Sequence, residues 1–404
     1  MHTEESQVLS TEAPRMWPLG SLGFVALLDT SMISPIIASQ ALLLGADRVL
    51  AATIAGSYSL VAIFTTMVAG YLVDKLGRRR LLAFGLLADL FLMLGYAFSV
   101  NPIQLFVVRV THAVADSFVV PSALASIGDL FQRNLGRSLA IYWTFVAVAI
   151  IAGSGSASAL VLRFGHSGVY LVVAGAITAT IGLLRFGGYS LRENGLRGRN
   201  PARFAIFTNV VPIAVASAAM LSMYLMVGGV IGTAPSMLIE RAGLDERGAA
   251  AMVGVFMALS TGTAIPFFFA AERVASRVSP YVGVVIGLVA ASASSYLLDT
   301  GFGARHLWYL SAVTFGVALS FVFLTSSYIS VSLPATIRGT ASGISQGMGL
   351  LGVVLGSLTS ALLAGLHLPV GTFTLIGLPS LATAAVVVAV IVRHRGIRKS
   401  ENRT

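Results

Sequence analysis

Long apolar runs separated by short polar segments recur along all 404 residues of the chain. Cutting the chain at charged positions and at glycine or proline gives twelve apolar segments. Each is about as long as the roughly 20 residues that cross a bilayer as a helix, or longer. Transmembrane β-strands would instead be short and alternate in hydrophobicity, so the pattern predicts an all-α polytopic membrane protein. The predicted segments are 19–44, 50–73, 81–99, 102–127, 138–162, 168–187, 205–238, 248–271, 279–298, 306–333, 341–366 and 370–392.

The longest polar gap divides the twelve segments into two groups of six. Similar residues recur between the groups at an offset near 200, for example Pro35 and Pro235. Parallel repeats of six helices, with a binding site between them, are a known transporter architecture. We therefore expect two pseudo-symmetric six-helix bundles: an N-terminal bundle over 1–187, a cytoplasmic linker over 188–204, and a C-terminal bundle with a basic tail over 205–404.

The composition agrees with this prediction, because 56% of the residues are hydrophobic and only 10% are charged, against about 25% charged in soluble domains. Of the 26 Lys and Arg residues, twenty fall on the side that holds both chain ends and five on the other side. This positive-inside bias assigns the first side to the cytoplasm. It also explains the net charge of +10 by topology and attraction to anionic lipid. We expect a multi-pass monomer in a bacterial inner (plasma) membrane, with both termini cytoplasmic and no nucleic-acid partner.

Several kinds of chemistry find no support in the sequence. There is no cysteine, which excludes disulfides, thiolate metal sites and cysteine nucleophiles. No stretch has the spacing of a P-loop, a zinc cluster or a nucleophile elbow. The three glutamates among the first sixteen residues are untypical of a signal peptide, so we expect no cleavage. We predict that the protein is not an enzyme and that it has no cofactor and no metal centre.

The first hairpin on the predicted cytoplasmic side reads GYLVDKLGRRRLL, residues 70–82. It resembles the signature between helices 2 and 3 of the major facilitator superfamily, with Gly70, Asp74, Gly77 and Arg78 at its fixed positions. The glycines allow helix backbones to approach closely, Asp74 can accept from amides at a helix N-terminus, and Arg78 can bind a carboxylate. The resemblance implies the twelve-helix, two-bundle fold and a latch that stabilises an outward-open state. The alternative is a turn whose basic residues only set the membrane orientation, but this alternative does not explain the presence of Asp74.

The fourth segment is apolar but contains FVVRVTHAVADSFVV, with Arg109, His112 and Asp116. On a helix these three side chains fall within about 60° of one another. Asp29 in the first segment and Asp89 in the third are the other acids at membrane depth. Because a charge at the bilayer centre costs about 2.5–3.5 kcal/mol on insertion scales, we expect such groups to be paired or solvated.

The interpretation of these ionisable residues rests partly on the resemblance. Twelve-helix drug–proton antiporters, the group that the chain resembles most, often carry a helix 4 arginine at the position of Arg109 and a helix 1 aspartate at that of Asp29. The resemblance implies a part in proton coupling for this arginine. We expect Asp29 to pair with Arg109, and Asp116 to hydrogen-bond to His112 four residues earlier. The alternatives are a static structural pair, a substrate contact for Asp116 and a purely structural role for His112. For Asp89 we expect a structural hydrogen bond to the second or fourth segment.

The C-terminal half has no charged residue deep in a segment, and it offers Tyr224, Tyr328 and Gln346 as polar groups in an apolar cavity. Such a cavity suits an amphipathic organic compound.

Residues 153–158 read GSGSAS. This departs from the pattern GPxxGG that antiporters of the family usually carry at the corresponding place. We predict a secondary transporter that couples efflux of an amphipathic small molecule to protons by alternating access. One alternative is a uniporter or proton symporter for a small metabolite, such as an organic anion held by Arg109. The other is a transporter-like sensor without net flux.

Overall fold

A computed structural model describes residues 17–186, 203–366 and 370–401. Within these ranges the regular elements are all helical, in agreement with the predicted fold class. Most of the predicted linker and the chain ends lie outside the described residues. The N-terminal half contains α1 (Trp17–Ile33), α2 (Ile37–Leu43), α3 (Arg48–Leu76), α4 (Arg78–Ala97), α5 (Pro102–Asp116), α6 (Val119–Leu130), a 3-10 turn (Gln132–Asn134) and α7 (Leu135–Phe186). The C-terminal half contains α8 (Arg203–Thr208), α9 (Val210–Ala242), α10 (Glu246–Arg277), α11 (Pro280–Gly301), α12 (Arg305–Ser332), α13 (Arg338–Gly365) and α14 (Thr372–Glu401).

Ten helical stretches in the described part of the chain are long and apolar enough to cross a membrane. The pair α1 and α2, bent by 42° across a break that contains Pro35, forms an eleventh. The 52-residue α7 has a non-helical backbone at Gly165 (φ 69°, ψ 177°). Because α7 is far longer than the roughly 20 residues of one span, this break divides it into two. The result is consistent with the twelve predicted segments.

The turns that precede α3 and α10, which are corresponding helices of the two halves, have the same features. Before α3, Gly45 has a φ of 94° and Asp47 accepts a hydrogen bond from an amide of the first turn at 2.7 Å. Before α10, Gly243 has a φ of 65° and Asp245 accepts the equivalent bond at 3.0 Å. A positive φ favours glycine, and aspartate is a preferred N-cap residue. Both pairs are 198 residues apart, which supports the duplication inferred from the sequence.

The halves are in close contact at the end of the molecule that carries the turn at Gly77, which we call the basic face. There α3 packs backbone to backbone against α13. A Cβ atom on Gly70 would lie 2.3 Å from the carbonyl oxygen of Gly339, and one on Gly343 would lie 2.6 Å from the carbonyl oxygen of Thr66. Only glycine permits helices to approach so closely, so these positions seal the basic face.

Toward the opposite end, the same side of α3 is uncovered. At 100° per residue, Val49, Ala52 and Gly56 continue the stripe that contains Gly70. Val49 is 76% exposed, and a Cβ atom on Gly56 would meet open space. Side chains of α3 and α5 line an open cavity of about 790 Å³ there. The halves are thus joined at the basic face and leave this stripe uncovered at the opposite end.

Candidate functional site: a buried polar cluster and a latch between the halves

Seven polar side chains meet inside the N-terminal half, where four helices pack together. We call this group the polar cluster. Three members are acids, and five of the seven are at most 3% exposed. The members are Asp29 of α1, Tyr58 of α3, Asp89 and Tyr96 of α4, and Arg109, His112 and Asp116 of α5. The structure therefore brings together all four residues that the sequence proposed for coupling or substrate binding, Asp29, Arg109, His112 and Asp116.

His112 is held by two other helices. Its Nε2 atom lies 2.9 Å from Oδ2 of Asp29, and its Nδ1 atom lies 3.2 Å from the hydroxyl of Tyr96. The predicted hydrogen bond between His112 and Asp116 is therefore wrong. The two residues are one helical turn apart, but both ring nitrogens already face partners on α1 and α4.

Asp116 is bonded to α3 instead. The hydroxyl of Tyr58 donates to Oδ2 of Asp116 and accepts from the hydroxyl of Thr30 at 3.3 Å. The other oxygen of Asp116, Oδ1, is buried and has no hydrogen-bond partner among the described residues. One oxygen of this carboxyl group is thus left without a donor.

The predicted ion pair between Asp29 and Arg109 is also wrong, since the carboxylate of Asp29 is taken by His112. The guanidinium of Arg109 lies instead over the ring of Tyr58, 4.6 Å from its centroid, which is a cation–π arrangement. Its Nε and Nη1 atoms are buried and form no hydrogen bond within the described part of the chain. Arg109 therefore retains free donors at the centre of the N-terminal half.

Asp89 also belongs to the polar cluster. Its Oδ1 atom is buried, lacks a hydrogen-bond partner among the residues described, and lies 3.7 Å from Nε2 of His112. The expected structural hydrogen bond is therefore not made by this oxygen.

Sequence reasoning also missed Tyr58 and Tyr96, because a tyrosine in an apolar segment is usually a packing residue and gives only a weak signal.

Asp29, Asp89 and His112 each place one possible metal-ligand atom in this region, and the three atoms lie within 4.8 Å of one another. No pattern in the sequence indicated this group. Metal motifs are recognised by short spacings along the chain, whereas these residues come from α1, α4 and α5.

A second polar group joins the two halves at the basic face. Oδ1 of Asp74 accepts from the backbone amide of Gly339 at 2.9 Å. Its Oδ2 accepts from the amide and the hydroxyl of Thr340, at 2.7 and 2.8 Å. These bonds cap the N-terminus of α13, where unpaired amides and the helix dipole favour an anion. The signature aspartate of the first half is thus bound to a helix of the second half.

Arg78 extends this contact. It donates to the carbonyl oxygen of Ala335 at 2.6 Å and forms an ion pair with Asp129, which also accepts from Arg338 at 2.5 Å. We call Asp74, Arg78, Asp129, Arg338 and Thr340 the latch. Asp129 and Arg338 were not proposed from the sequence, because each lies near a helix end, where a charged residue is ordinary.

The turn that positions the latch depends on the other signature glycine. Gly77 has a φ of 104° between α3 and α4, a conformation that residues with a Cβ atom rarely adopt. It places Asp74 and Arg78 on the same side, 3.5 Å apart. The four signature residues therefore each have a geometric role at the interface between the halves.

Of the cavity candidates, Tyr224 has the most distinct surroundings. Its ring stacks on Phe323 with centroids 5.3 Å apart, and Phe323 also contacts Trp143 of the other half at 5.0 Å. Trp143 donates to the hydroxyl of Ser327 at 3.1 Å. These rings form an aromatic group shared by both halves, whereas Tyr328 and Gln346 are partly buried on α12 and α13.

Comparison with known proteins places this geometry in context. The sequence profile of the Major Facilitator Superfamily matches residues 19–357. The human organic anion transporter MFSD10 (TETRAN) superposes with a TM-score of 0.72 at 15% identity, over 92% of this chain and 98% of that one. The proton:xylose symporter XylE gives a TM-score of 0.69 at 15% identity, over 92% and 94% of the two chains.

A third solved structure is a bacterial homologue of the iron transporter ferroportin in an outward-facing state with soaked iron. It gives a TM-score of 0.72 at 14% identity, over 94% of this chain and 98% of that one. At such identities the likeness shows a shared fold alone. A search of curated protein sequences gives no match.

Proposed function

Because the chain belongs to the major facilitator superfamily, we propose that it is a secondary transporter that couples the efflux of an amphipathic organic compound to protons by alternating access. The observation that carries the proton coupling is the charge balance of the polar cluster. The polar cluster contains three carboxyl groups and a single arginine. Each uncompensated charge at membrane depth costs about 2.5–3.5 kcal/mol, so bound cations have to balance the surplus, and the smallest available is the proton.

Asp116 is the acid best placed to exchange a proton. Asp29 is 2% exposed and Asp89 3% exposed, whereas Asp116 is only partly buried. Its Oδ1 atom has no hydrogen-bond partner among the described residues, and its other oxygen is held by Tyr58. A proton on Oδ1 neutralises the group without breaking the Tyr58 bond, because Oδ2 remains an acceptor.

Alternating access is supported by the different contacts at the two ends of the molecule. The latch and the glycine contact close the basic face, while α3 is uncovered at the other end. The positive-inside bias assigns the basic face to the cytoplasm, so this arrangement corresponds to an outward-facing state. Release of the latch frees the halves to rock and to expose the polar cluster to the other side.

The aromatic group of Trp143, Tyr224 and Phe323 supports an amphipathic substrate, since stacked rings with a few polar atoms suit such compounds. A second candidate is favoured by one specific observation: two nitrogens of the Arg109 guanidinium have no hydrogen-bond partner in the part of the chain that the structure describes. A buried guanidinium with free donors is a site for a carboxylate or phosphate, so uniport or proton symport of an organic anion is the alternative. Of the similar solved structures, one is an organic anion transporter and another is a proton symporter.

Proteoliposomes with an imposed pH gradient test the proposal, with a panel of amphipathic dyes and of small carboxylates as probes. We expect dye to move against the proton flux in the wild type. Asp116→Asn is expected to reduce this gradient-driven movement at least tenfold while dye counterflow without a gradient persists. Glu240→Gln, which changes an exposed acid of the C-terminal half, is the matched control.

The outcomes separate the candidates. Equal gradient-driven rates in Asp116→Asn and the wild type would refute proton coupling through this residue. Movement of a carboxylate in the same direction as protons, lost in Arg109→Gln, would replace efflux by symport of an organic anion.

A further inference from the structure

Three donor atoms from three helices converge on one point of the polar cluster. They belong to His112, Asp29 and Asp89, and one possible ligand atom of each lies within 4.8 Å of the other two. Nε2 lies 2.9 Å from the Asp29 oxygen and 3.7 Å from the Asp89 oxygen. All three residues are at most 3% exposed, so this is an interior site rather than a patch of surface acids.

Hydrogen bonding alone leaves the arrangement incomplete. One hydrogen between Nε2 of His112 and Oδ2 of Asp29 satisfies that contact only. Oδ1 of Asp89 is then a buried acceptor with no partner in the described structure, and a buried group of this kind costs about 1–3 kcal/mol. Its approach to the imidazole nitrogen shows that it is aimed into the site.

The two distances from His112 are close to those between ligands of a single metal ion. Bonds of about 2.0–2.2 Å from an ion to nitrogen or oxygen place its ligands roughly 3.0–3.6 Å apart at bond angles of 90–120°. The two distances from His112, 2.9 and 3.7 Å, need changes of only tenths of an ångström to enter this range. The two carboxylates also supply two negative charges, which balance those of a divalent cation in a buried setting.

The surroundings hold the ligands in place. The hydroxyl of Tyr96 lies 3.2 Å from Nδ1 of His112, so a hydrogen on Nδ1 donated to that oxygen leaves the Nε2 lone pair for an ion. Tyr96 is itself stacked on Tyr170 with centroids 4.9 Å apart, and the amide of Thr30 donates to the other oxygen of Asp29 at 2.5 Å. Outer partners of this kind fix the tautomer and orientation of metal ligands.

We propose that Asp29, Asp89 and His112 bind one divalent first-row transition-metal ion. Imidazole with two carboxylates suits Mn²⁺, Fe²⁺, Co²⁺ and Zn²⁺, whereas Mg²⁺ and Ca²⁺ prefer oxygen ligands alone. Three protein ligands leave further coordination positions open for water or substrate. The ion takes part in the same charge balance as the proton proposed above, because it neutralises Asp29 and Asp89. The site does not include Asp116, so separate variants test the two proposals.

The test uses the full chain without a polyhistidine tag, purified in detergent, stripped with EDTA and titrated with Zn²⁺ and, separately, Mn²⁺. Bound metal is counted by mass spectrometry after gel filtration, and the thermal unfolding midpoint is followed in parallel. We expect one saturable ion per wild-type chain and a raised midpoint. Asp89→Asn and His112→Gln are expected to lose the ion at concentrations that saturate the wild type, while the control Glu240→Gln retains it.

Two further variants keep the test decisive. Tyr96→Phe removes only the outer partner of His112 and is expected to weaken binding by about 10–100-fold, which holds even if His112→Gln fails to fold. Asp116→Asn is expected to bind the ion normally although it loses proton coupling, so the two proposals fail separately. The absence of a saturable ion in the wild type, or full retention of the ion by Asp89→Asn, would overturn the site.

Discussion

The latch makes the sharpest prediction, because one residue of the first half caps a helix of the second. Asp74→Asn keeps the size of the side chain but removes its charge and one of its two acceptor oxygens. The acceptors of the wild-type residue serve two amides and a hydroxyl of α13. The amide nitrogen of the variant would face a donor instead, so at least one of these bonds is lost in the closed state.

The expected free-energy change follows from these contacts. A hydrogen bond to a charged group contributes about 1.5–3 kcal/mol, and a negative charge at a helix N-terminus adds about 0.3–1 kcal/mol. Together they favour the closed basic face by about 2–4 kcal/mol over a state in which the contact is broken. Since 1.4 kcal/mol is a factor of ten, Asp74→Asn shifts the ratio of closed to open basic face roughly 30- to 1,000-fold toward open.

Distances between spin labels measure this ratio, and the absence of native cysteine means that labels attach only where they are introduced. Gln132→Cys with Val278→Cys reports on the basic face, since both residues are exposed and belong to different halves. Val100→Cys with His306→Cys, also exposed, reports on the opposite face. In the Asp74→Asn background we expect longer distances at the basic face and shorter ones at the opposite face.

Asp299 offers an unusually close control. It accepts from the amides of Phe373 and Thr374 and from the hydroxyl of Thr374, at 3.2, 2.6 and 2.6 Å, the same three bonds that Asp74 makes. All of its partners lie within the C-terminal half, so Asp299→Asn should lower the unfolding midpoint without changing the distances between labels. Unchanged label distances in Asp74→Asn, or an equal change in Asp299→Asn, would refute the role of the latch.

Two further predictions concern packing and the proton site. Gly70→Ala places a Cβ atom 2.3 Å from a backbone oxygen of α13. We expect the free energy of unfolding to fall by about 1–3 kcal/mol and the distances between labels at the basic face to increase. Gly56→Ala, which has open space around it, is expected to change neither quantity. Tyr58→Phe removes the donor to Asp116 but keeps the ring; we expect slower gradient-driven dye movement with normal counterflow, and unaltered gradient-driven rates would contradict this.

The fold was predictable because each of its determinants is local in sequence. A run of about 20 apolar residues identifies a membrane helix wherever it occurs, and the twelve predicted segments correspond to the helices observed. The internal breaks needed more context. The bend at Pro35 lies within one predicted segment, and Gly165 interrupts a helix that otherwise continues through the predicted boundary between two.

The acids, the arginine and the histidine of the polar cluster were predictable, but the two tyrosines and most of the hydrogen-bond partners were not. An ionisable side chain is conspicuous in an apolar segment, and this signal identified Asp29, Arg109 and His112. Spacing within one helix then suggested neighbours four residues apart, whereas the observed bonds of His112 run to α1 and α4. Which helices touch, and at what height, is decided by packing over the whole bundle, and no single segment contains that information.

The two polar groups differ in which helices their bonds connect, and this difference bears on mechanism. The bonds of the polar cluster join α1, α3, α4 and α5, all in the N-terminal half. The bonds of the latch from Asp74 and Asp129 to α13 run from one half to the other. Rocking of the halves as rigid units therefore breaks latch bonds and leaves the cluster intact. A cation bound in the cluster does not have to rearrange its ligands during transport; what changes is the side from which the partly exposed Asp116 is reached. Coupling then depends on exposure of a fixed site, and variants of the latch should alter transport rates without altering cation affinity.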